Sequence, residues 1–423
     1  MASIQQRPSI ESLPVELFHR IFDYLDAQTI LFSVRLVSRL FRLIVSNYDR
    51  YNIDFELISK CNFHRLCRLI QPQQLISLTL YHNENIPDQI SFFISNYRFR
   101  QLDRLHKINL FGIDEFHLNM ILKHINLKCL TSFSLNIKQY DTRRKKITEK
   151  DISSIISQPT LRKIEFNILN DRLSNIEWPS NCQIEHLIIN GNITLDNLCR
   201  IISNSPQLHR LIIKQRIIFY TFDKISFPQI TSLILEKADI TINELESFLS
   251  LTSSLIHLKL IGNICTFDGK RWEEFIQVNL PHLNKFQFFI TSLKSIDQTR
   301  DDLQIIIQSF QSPFWIEYKK WFVACEFLLK QPRQVQIYSI PTCKTIFNDQ
   351  LNFEICFLST SNHLIEIENI NKIDLKLEKT INNDILKKIN IPFPNVTKLH
   401  LDLVQIFRKI RLIMCIRYLI FRS

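Results

Sequence analysis

Apolar residues in the segment IESLPVELFHRIFDYLDAQTILFSVRLVSRLFRLIVS, residues 10 to 46, recur at steps of three and four, the spacing that puts side chains on one face of a helix. Pro14 lacks an N–H and suits the first turn of a helix, and Glu16 places a carboxylate near the positive end of its dipole. From there Leu17, Phe18, Ile21, Phe22 and Leu25 form one wide apolar stripe. Asp26 and Thr29 offer a stop and a restart, Ile30, Leu31 and Val34 continue a second helix, and Ser38 caps a third with Phe41 and Ile44 facing inward. Three short helices in so few residues bury little surface by themselves, so the unit is expected either to cap the longer remainder of the chain or to dock on a partner.

Beyond residue 70 the pattern changes to Leu-x-x-Leu-x-Leu. It starts at Leu75, Leu105, Leu130, Leu161, Ile184, Leu208, Ile230, Leu255 and Leu283, at intervals of 22 to 31 residues. A proline two residues ahead, as at Pro159, Pro206, Pro228 and Pro281, ends the preceding segment and favours an extended backbone. Helical patterns such as TLDNLCRIIS and TINELESFLS fall between the templates, so strand, turn, helix and turn recur. From 290 to 395 the template fades, which reads as degenerate repeats with an insertion or as a separate small domain. It returns at Val396. The final IFRKIRLIMCIRYLIFRS mixes five basic residues with apolar ones, as an unfinished repeat or a segment lying on an acidic membrane would.

These two patterns resemble two known families. Leu13-Pro14-x-Glu16-Leu17, Ile21-Phe22, Leu25-Asp26, Leu31 and Val37-Ser38-Arg39-x-Phe41 resemble the F-box signature, with Ile30 where Leu is more usual and Phe41 where many members have Trp. The resemblance implies that Leu13, Pro14, Leu17, Ile21, Phe22 and Leu25, with Glu16 at the family's acidic position, dock on a Skp-type linker subunit that bridges to a cullin scaffold. The run of templates is similar to leucine-rich repeats, which F-box proteins commonly carry as their substrate-binding part. The expected fold is therefore an α/β repeat: an N-terminal three-helix F-box followed by a leucine-rich-repeat solenoid, parallel strands on the concave face and helices on the convex face. The expected division is a disordered 1–9, an F-box at 10–50, a helical connector at 51–74, repeats at 75–290, and degenerate repeats with an insertion at 291–423.

Strand side chains alternate in direction, so the residue before the second apolar template position faces the open side of the sheet. That column reads Ser77, Lys107, Ser132, Lys163, His186, Arg210, Ser232, His257, Lys285 and, past the gap, Lys398, with no acid in it. Two residues further on, Ile188, Ile212 and Ile234 make an apolar strip, followed by Lys259. The column is either a solvated polar strand face or the basic edge of a groove for an acidic or phosphorylated segment of a protein substrate.

Composition narrows the classes. With 45% hydrophobic residues and only 4 Gly in 423, the chain is a folded protein rather than a flexible linker. The net charge of +11 lies almost wholly outside residues 1 to 50, which carry +1. Such a charge suits nucleic acid or an acidic partner and is also ordinary solubility, and the basic-aromatic clusters of single-strand binders are missing, so no nucleic acid is expected. Ten cysteines without a CxxC pair are the usage of reduced thiols, which with no apolar run of membrane-spanning length points to cytoplasm or nucleus. Cys61-x-x-His64-x-x-Cys67 is metal-like in spacing but lacks a fourth ligand, so packed side chains are expected there and no metal. No phosphate-binding, nucleotide-binding or hydrolase motif is present, so no catalytic seat and no cofactor are expected. Four readings remain: an adaptor subunit of a cullin-type ubiquitin ligase, an F-box scaffold acting without ubiquitin transfer, a nucleic-acid binder, and an unrecognised enzyme.

Overall fold

In the computed structural model of the chain, described are residues 10–56, 58–81, 89–96, 101–137, 145–168, 172–219, 225–264, 267–293, 300–328, 331–340, 346–349, 355–360, 372–377 and 398–403. They fall into two compact units, Met1–Ile225 and Ser226–Ser423.

The first unit opens with three helices, α1 (Val15–Phe22), α2 (Ala27–Phe32) and α3 (Arg39–Ser46). Pro14 stands at the N-cap of α1, one residue ahead of the first turn. The Asp26 carboxylate accepts from the Thr29 amide to cap α2, and Ser38 accepts from the Phe41 amide to cap α3. The second helix stops at Phe32, and Val34 belongs instead to a 3-10 turn, Val34–Leu36.

Then come β1 (Tyr51–Asp54), α4 (Lys60–Leu69), β2 (Leu75–Tyr81), α5 (Gln89–Asn96), β3 (Lys107–Ile113), α6 (Glu115–His124), β4 (Ser132–Ile137), α7 (Lys145–Ile156), β5 (Lys163–Asn167), α8 (Arg172–Asn175), β6 (His186–Ile189), β7 (Ile193–Thr194), α9 (Leu195–Ser203), β8 (Arg210–Ile213) and β9 (Ile217–Ile218). Strands β1 to β6 and β8 pair in chain order, all parallel, while β7 and β9 form a small parallel pair of their own. The stretch 51–74 is thus more than a helical connector: Tyr51–Asp54 already pairs with β2, so the sheet begins one strand before the first Leu template.

The second unit holds β10 (Ser232–Asp239), α10 (Ile242–Leu249), β11 (His257–Asn263), α11 (Gly269–Asn279), β12 (Lys285–Leu293), α12 (Arg300–Gln308), β13 (Phe322–Leu328), β14 (Gln331–Ile340), β15 (Ile346–Asp349), β16 (Ile355–Ser359), β17 (Lys372–Leu377) and β18 (Lys398–Leu403). Strands β10, β11 and β12 are parallel, but β14 joins β12 antiparallel, and β13 lies antiparallel between β14 and β16. In the described residues of β13, β14 and β16 the parallel order of the preceding strands thus gives way to antiparallel pairing. The template that returns at Val396 gives β18, parallel to β17, which is parallel to β15. The final eighteen residues lie outside the described ones.

Each template works as its spacing dictates. All twenty-seven of its Leu, Ile and Phe positions, from Leu75 to Phe288, are at most 2% exposed, so each repeat hides its apolar side under the inter-strand helices. The prolines sit second in four-residue turns closed by Leu161 N–H to Gln158 O (3.2 Å), Leu208 N–H to Ser205 O (3.1 Å), Ile230 N–H to Phe227 O (3.3 Å) and Leu283 N–H to Leu280 O (3.0 Å). Pro presets the backbone angle that this turn position needs and gives up no hydrogen bond. Thr194 caps α9, and Thr241 with Glu244 closes a reciprocal capping box on α10.

Candidate interaction surfaces

A chain of aromatic rings joins α1 to α3 and to the start of the sheet. Phe18 meets Phe41 edge-on at 5.1 Å, Phe22 meets Tyr48 at 5.5 Å, and Tyr48 meets Tyr51 of β1 at 4.9 Å. Tyr51 donates its hydroxyl to Val45 O at 3.1 Å, and burial pushes that hydroxyl up to about 12, so it stays a donor. Tyr48 reaches Asp23 Oδ1 at 2.9 Å, Arg50 pairs with the same carboxylate at 3.2 Å, and Gln74 Nε2 donates to Tyr48 O at 3.1 Å. The module is therefore fastened to the start of the sheet, and Arg65 of α4, stacked 4.7 Å over Phe32, adds a second tie.

The rings bury Phe18, Phe22, Phe41 and Tyr48 and leave other apolar residues of the module bare. Ten of the seventeen exposed large apolar side chains among the described residues lie between Ile10 and Leu43. They include Leu13, Val15, Leu17 and Ile21 around α1, Tyr24 just after it, and Leu36, Val37, Leu40 and Leu43 on the third-helix side. So many exposed apolar side chains on a small module exceed the single scattered ones usual on a protein surface. Pro14 and Glu16 are exposed beside them, and Leu25 is half-buried. Phe22 departs from the expected docking set: it is 1% exposed and wedged against Tyr48, so it supports the surface from beneath instead of presenting itself on it.

Residues 10–51 match the F-box-like family model. The N-terminal module is an F-box-like domain. No curated protein matches the chain. Among solved structures, the chain is similar to an internalin, inlF, of Listeria monocytogenes (15% identity over 57% of this chain and 81% of that one, TM-score 0.30). It is also similar to the leucine-rich repeat-containing protein LegL7 of Legionella pneumophila (12% identity, 88% and 98% covered, TM-score 0.26). A third is CroV588, a circular leucine-rich-repeat protein (13% identity, 71% and 37% covered, TM-score 0.27). The repeat architecture that follows the F-box-like domain rests on this chain's own strand order and buried Leu-x-x-Leu-x-Leu templates.

Behind the F-box-like domain, the predicted column is a true row. Ser77, Lys107, Ser132, Lys163, His186 and Arg210 are successive register partners in the first unit, and Ser232, His257 and Lys285 are partners in the second. Lys107, Arg210 and Lys285 are exposed, while Lys163, His186 and His257 are half-buried. His257 lies 3.3 Å from both Ser232 Oγ and Gln287 Oε1, so its ring is engaged along the sheet. Burial, reinforced by the neighbouring His209 and Arg210, lowers the His186 pKa below the ordinary histidine value. The apolar strip is less open than the pattern suggested. Ile188 and Ile234 are 8% and 7% exposed, and Ile212, the register partner of Ile188, is half-buried. Ile234 pairs with the half-buried Lys259 in the second unit.

One constellation had no sequence signature. Ser91 of α5 lies 2.7 Å from His117 Nε2, and His117 Nδ1 lies 2.7 Å from Asp114 Oδ2, in the order of a serine-hydrolase relay. Asp114 is the N-cap of α6, and its other oxygen accepts from the His117 amide at 2.9 Å. The ring thus closes a cap at the helix start and ties α6 to α5. No signal in sequence could pair residues 91 and 117, because only the stacking of consecutive repeats brings their helices together. Cys61, His64 and Cys67 share α4, where Cys61 is exposed and His64 packs on Phe92 at 4.1 Å. Among the described residues no cluster of potential metal ligands occurs, and no helix is long and apolar enough to cross a membrane.

Proposed function

We propose that this protein is the substrate-recognition adaptor of a cullin-type ubiquitin ligase: the F-box-like domain binds a Skp-type linker subunit, and the repeats hold a protein destined for modification. The supporting observation is the concentration of bare apolar side chains on the F-box-like domain, with Leu13, Leu17 and Ile21 exposed where that family's docking residues fall. The aromatic tie from Phe22 through Tyr48 to Tyr51 suits this role, because it fixes the linker-binding end to the repeat sheet. No chemistry is assigned to the chain itself; ubiquitin transfer belongs to the other subunits. The scattered cysteines, with no CxxC pair among the ten, suit the cytoplasm or nucleus as its place of work.

The test is reconstitution. The full chain mixed with a Skp-type linker and a cullin should elute as one complex, and Leu17→Asp with Ile21→Asp should abolish it while leaving helix content unchanged. Elution of chain and linker together without the cullin would support an F-box scaffold instead. Absence of any linker complex would overturn both.

A further inference from the structure

Within the first unit the row on β5, β6 and β8 differs from the rest in having three basic side chains side by side. Lys163, His186 and Arg210 are direct register partners. Adjacent strands lie about 4.8 Å apart, so Lys163 and Arg210 are separated by about 9.6 Å at the backbone. The acids on and beside these strands are already engaged: Glu165 of β5 holds Lys214 at 3.3 Å and accepts from Asn190 Nδ2 at 3.0 Å, and Glu185, just ahead of β6, holds Arg162 at 3.2 Å. Among the described residues neither Lys163 nor Arg210 has an ion-pair partner, while Lys107, at the far end of the row, is set apart by Ser132. His209 meets His186 edge-on at 4.8 Å, and among the described residues no carboxylate pairs with the Lys163 and Arg210 charges that flank it in this basic strip.

We propose that this strip docks an acidic segment of the partner protein in polyproline-II conformation, with carboxylates three residues apart reaching Lys163 and Arg210 and His186 hydrogen-bonding between them. The spacing carries the choice. A polyproline-II chain repeats every three residues and rises about 3.1 Å per residue, so acids at i and i+3 share one side about 9.3 Å apart, close to the two-strand separation. A β-strand segment would present same-side acids about 6.7 Å apart, which fits neither one strand step nor two. The proposal rests on reading the repeats as the partner-binding part, and it involves none of the F-box residues.

Fluorescein-labelled peptides test it on the full-length protein at low salt: one carrying Glu-Pro-Pro-Glu, one Gln-Pro-Pro-Gln, one Pro-Glu-Glu-Pro. The first is expected to bind at least tenfold more tightly than the other two, and Lys163→Glu with Arg210→Glu should remove that advantage with an unchanged melting curve. Lys107→Glu should leave it intact. Acidification from pH 7.5 to 5.5 should tighten binding as His186 gains a proton among Lys163, His209, Arg210 and Glu185, and His186→Gln should abolish that pH response. Equal binding of the Glu and Gln peptides, an undiminished signal in the double reversal, or a single-stranded oligonucleotide that displaces the peptide and itself depends on the same two residues would each overturn the proposal. Linker binding measured on the double reversal reports separately on the adaptor reading.

Discussion

Truncating Leu17 and Ile21 together separates a docking surface from a structural helix. They are 40% and 43% exposed, so each offers about 70 Å² of largely apolar area that a linker subunit would remove from water, worth about 1.8 kcal/mol at 25 cal/mol per Å². Cutting both to Ala forfeits most of this, about 3 kcal/mol, or roughly a hundredfold in Kd. Because both side chains are exposed in the isolated chain, folding stability should move by less than about 0.5 kcal/mol. Phe22→Ala is the contrast: it empties a ring site against Phe18 and Tyr48 and should destabilise the module by about 3 to 5 kcal/mol, losing linker binding through unfolding. The assay is calorimetric titration of the Skp-type linker into each variant beside a urea melt. A Leu17→Ala, Ile21→Ala protein that binds the linker with wild-type affinity would refute the assignment of this face.

Named contacts give further outcomes. Asp114→Ala should weaken the start of α6 by about 1 kcal/mol in a urea melt, and Ser91 should not react with a fluorophosphonate probe in the parent; labelling of Ser91 would show that the relay is chemically active. Hydrogen bonding from Arg104 holds the Asp49 carboxyl below its ordinary value; at Asp26 and Asp114 burial pushes upward, but bonds from Thr29 and His117 outweigh it and the net shift is also down. Carboxyls lowered in the folded state contribute stability above the unfolded value near 4 that disappears as pH falls through the folded values, so the urea midpoint should fall below about pH 4, and Asp26→Asn with Asp49→Asn and Asp114→Asn should flatten that decline. A Cβ on Gly262 would collide with the Ala238 backbone at the irregular step of the β10–β11 pairing, so Gly262→Ala should destabilise the second unit by about 1 to 3 kcal/mol, seen as a lower urea midpoint.

The repeat strands were legible because Leu-x-x-Leu-x-Leu fixes both the start of each strand and the direction of its side chains, which also aligned Lys163, His186 and Arg210 in one row from sequence alone. Strand β1 was not, since Tyr51-Asn-Ile-Asp carries no Leu template and joins the sheet only through its pairing with β2. The stripe of α1 was visible, yet steps of three and four cannot divide it: Phe18 and Phe22 turn into the module while Leu17 and Ile21, one position away, stay outside. The openness of the Ile188 strip failed for a related reason, because alternation gives the side of a sheet on which a residue lies and not how far its neighbours cover it. The antiparallel arrangement of β12, β13, β14 and β16 depends on pairings between distant segments, which no local period encodes.

The adaptor account is tested most directly by recovering the tagged protein from its own cells and identifying, by quantitative mass spectrometry, the proteins that accompany the wild type and the Leu17→Asp, Ile21→Asp variant. The account predicts a Skp-type linker and a cullin with the wild type, both lost together from the variant, while proteins held by the repeats remain. A wild-type preparation containing neither linker nor cullin, or a variant that retains both, would contradict it.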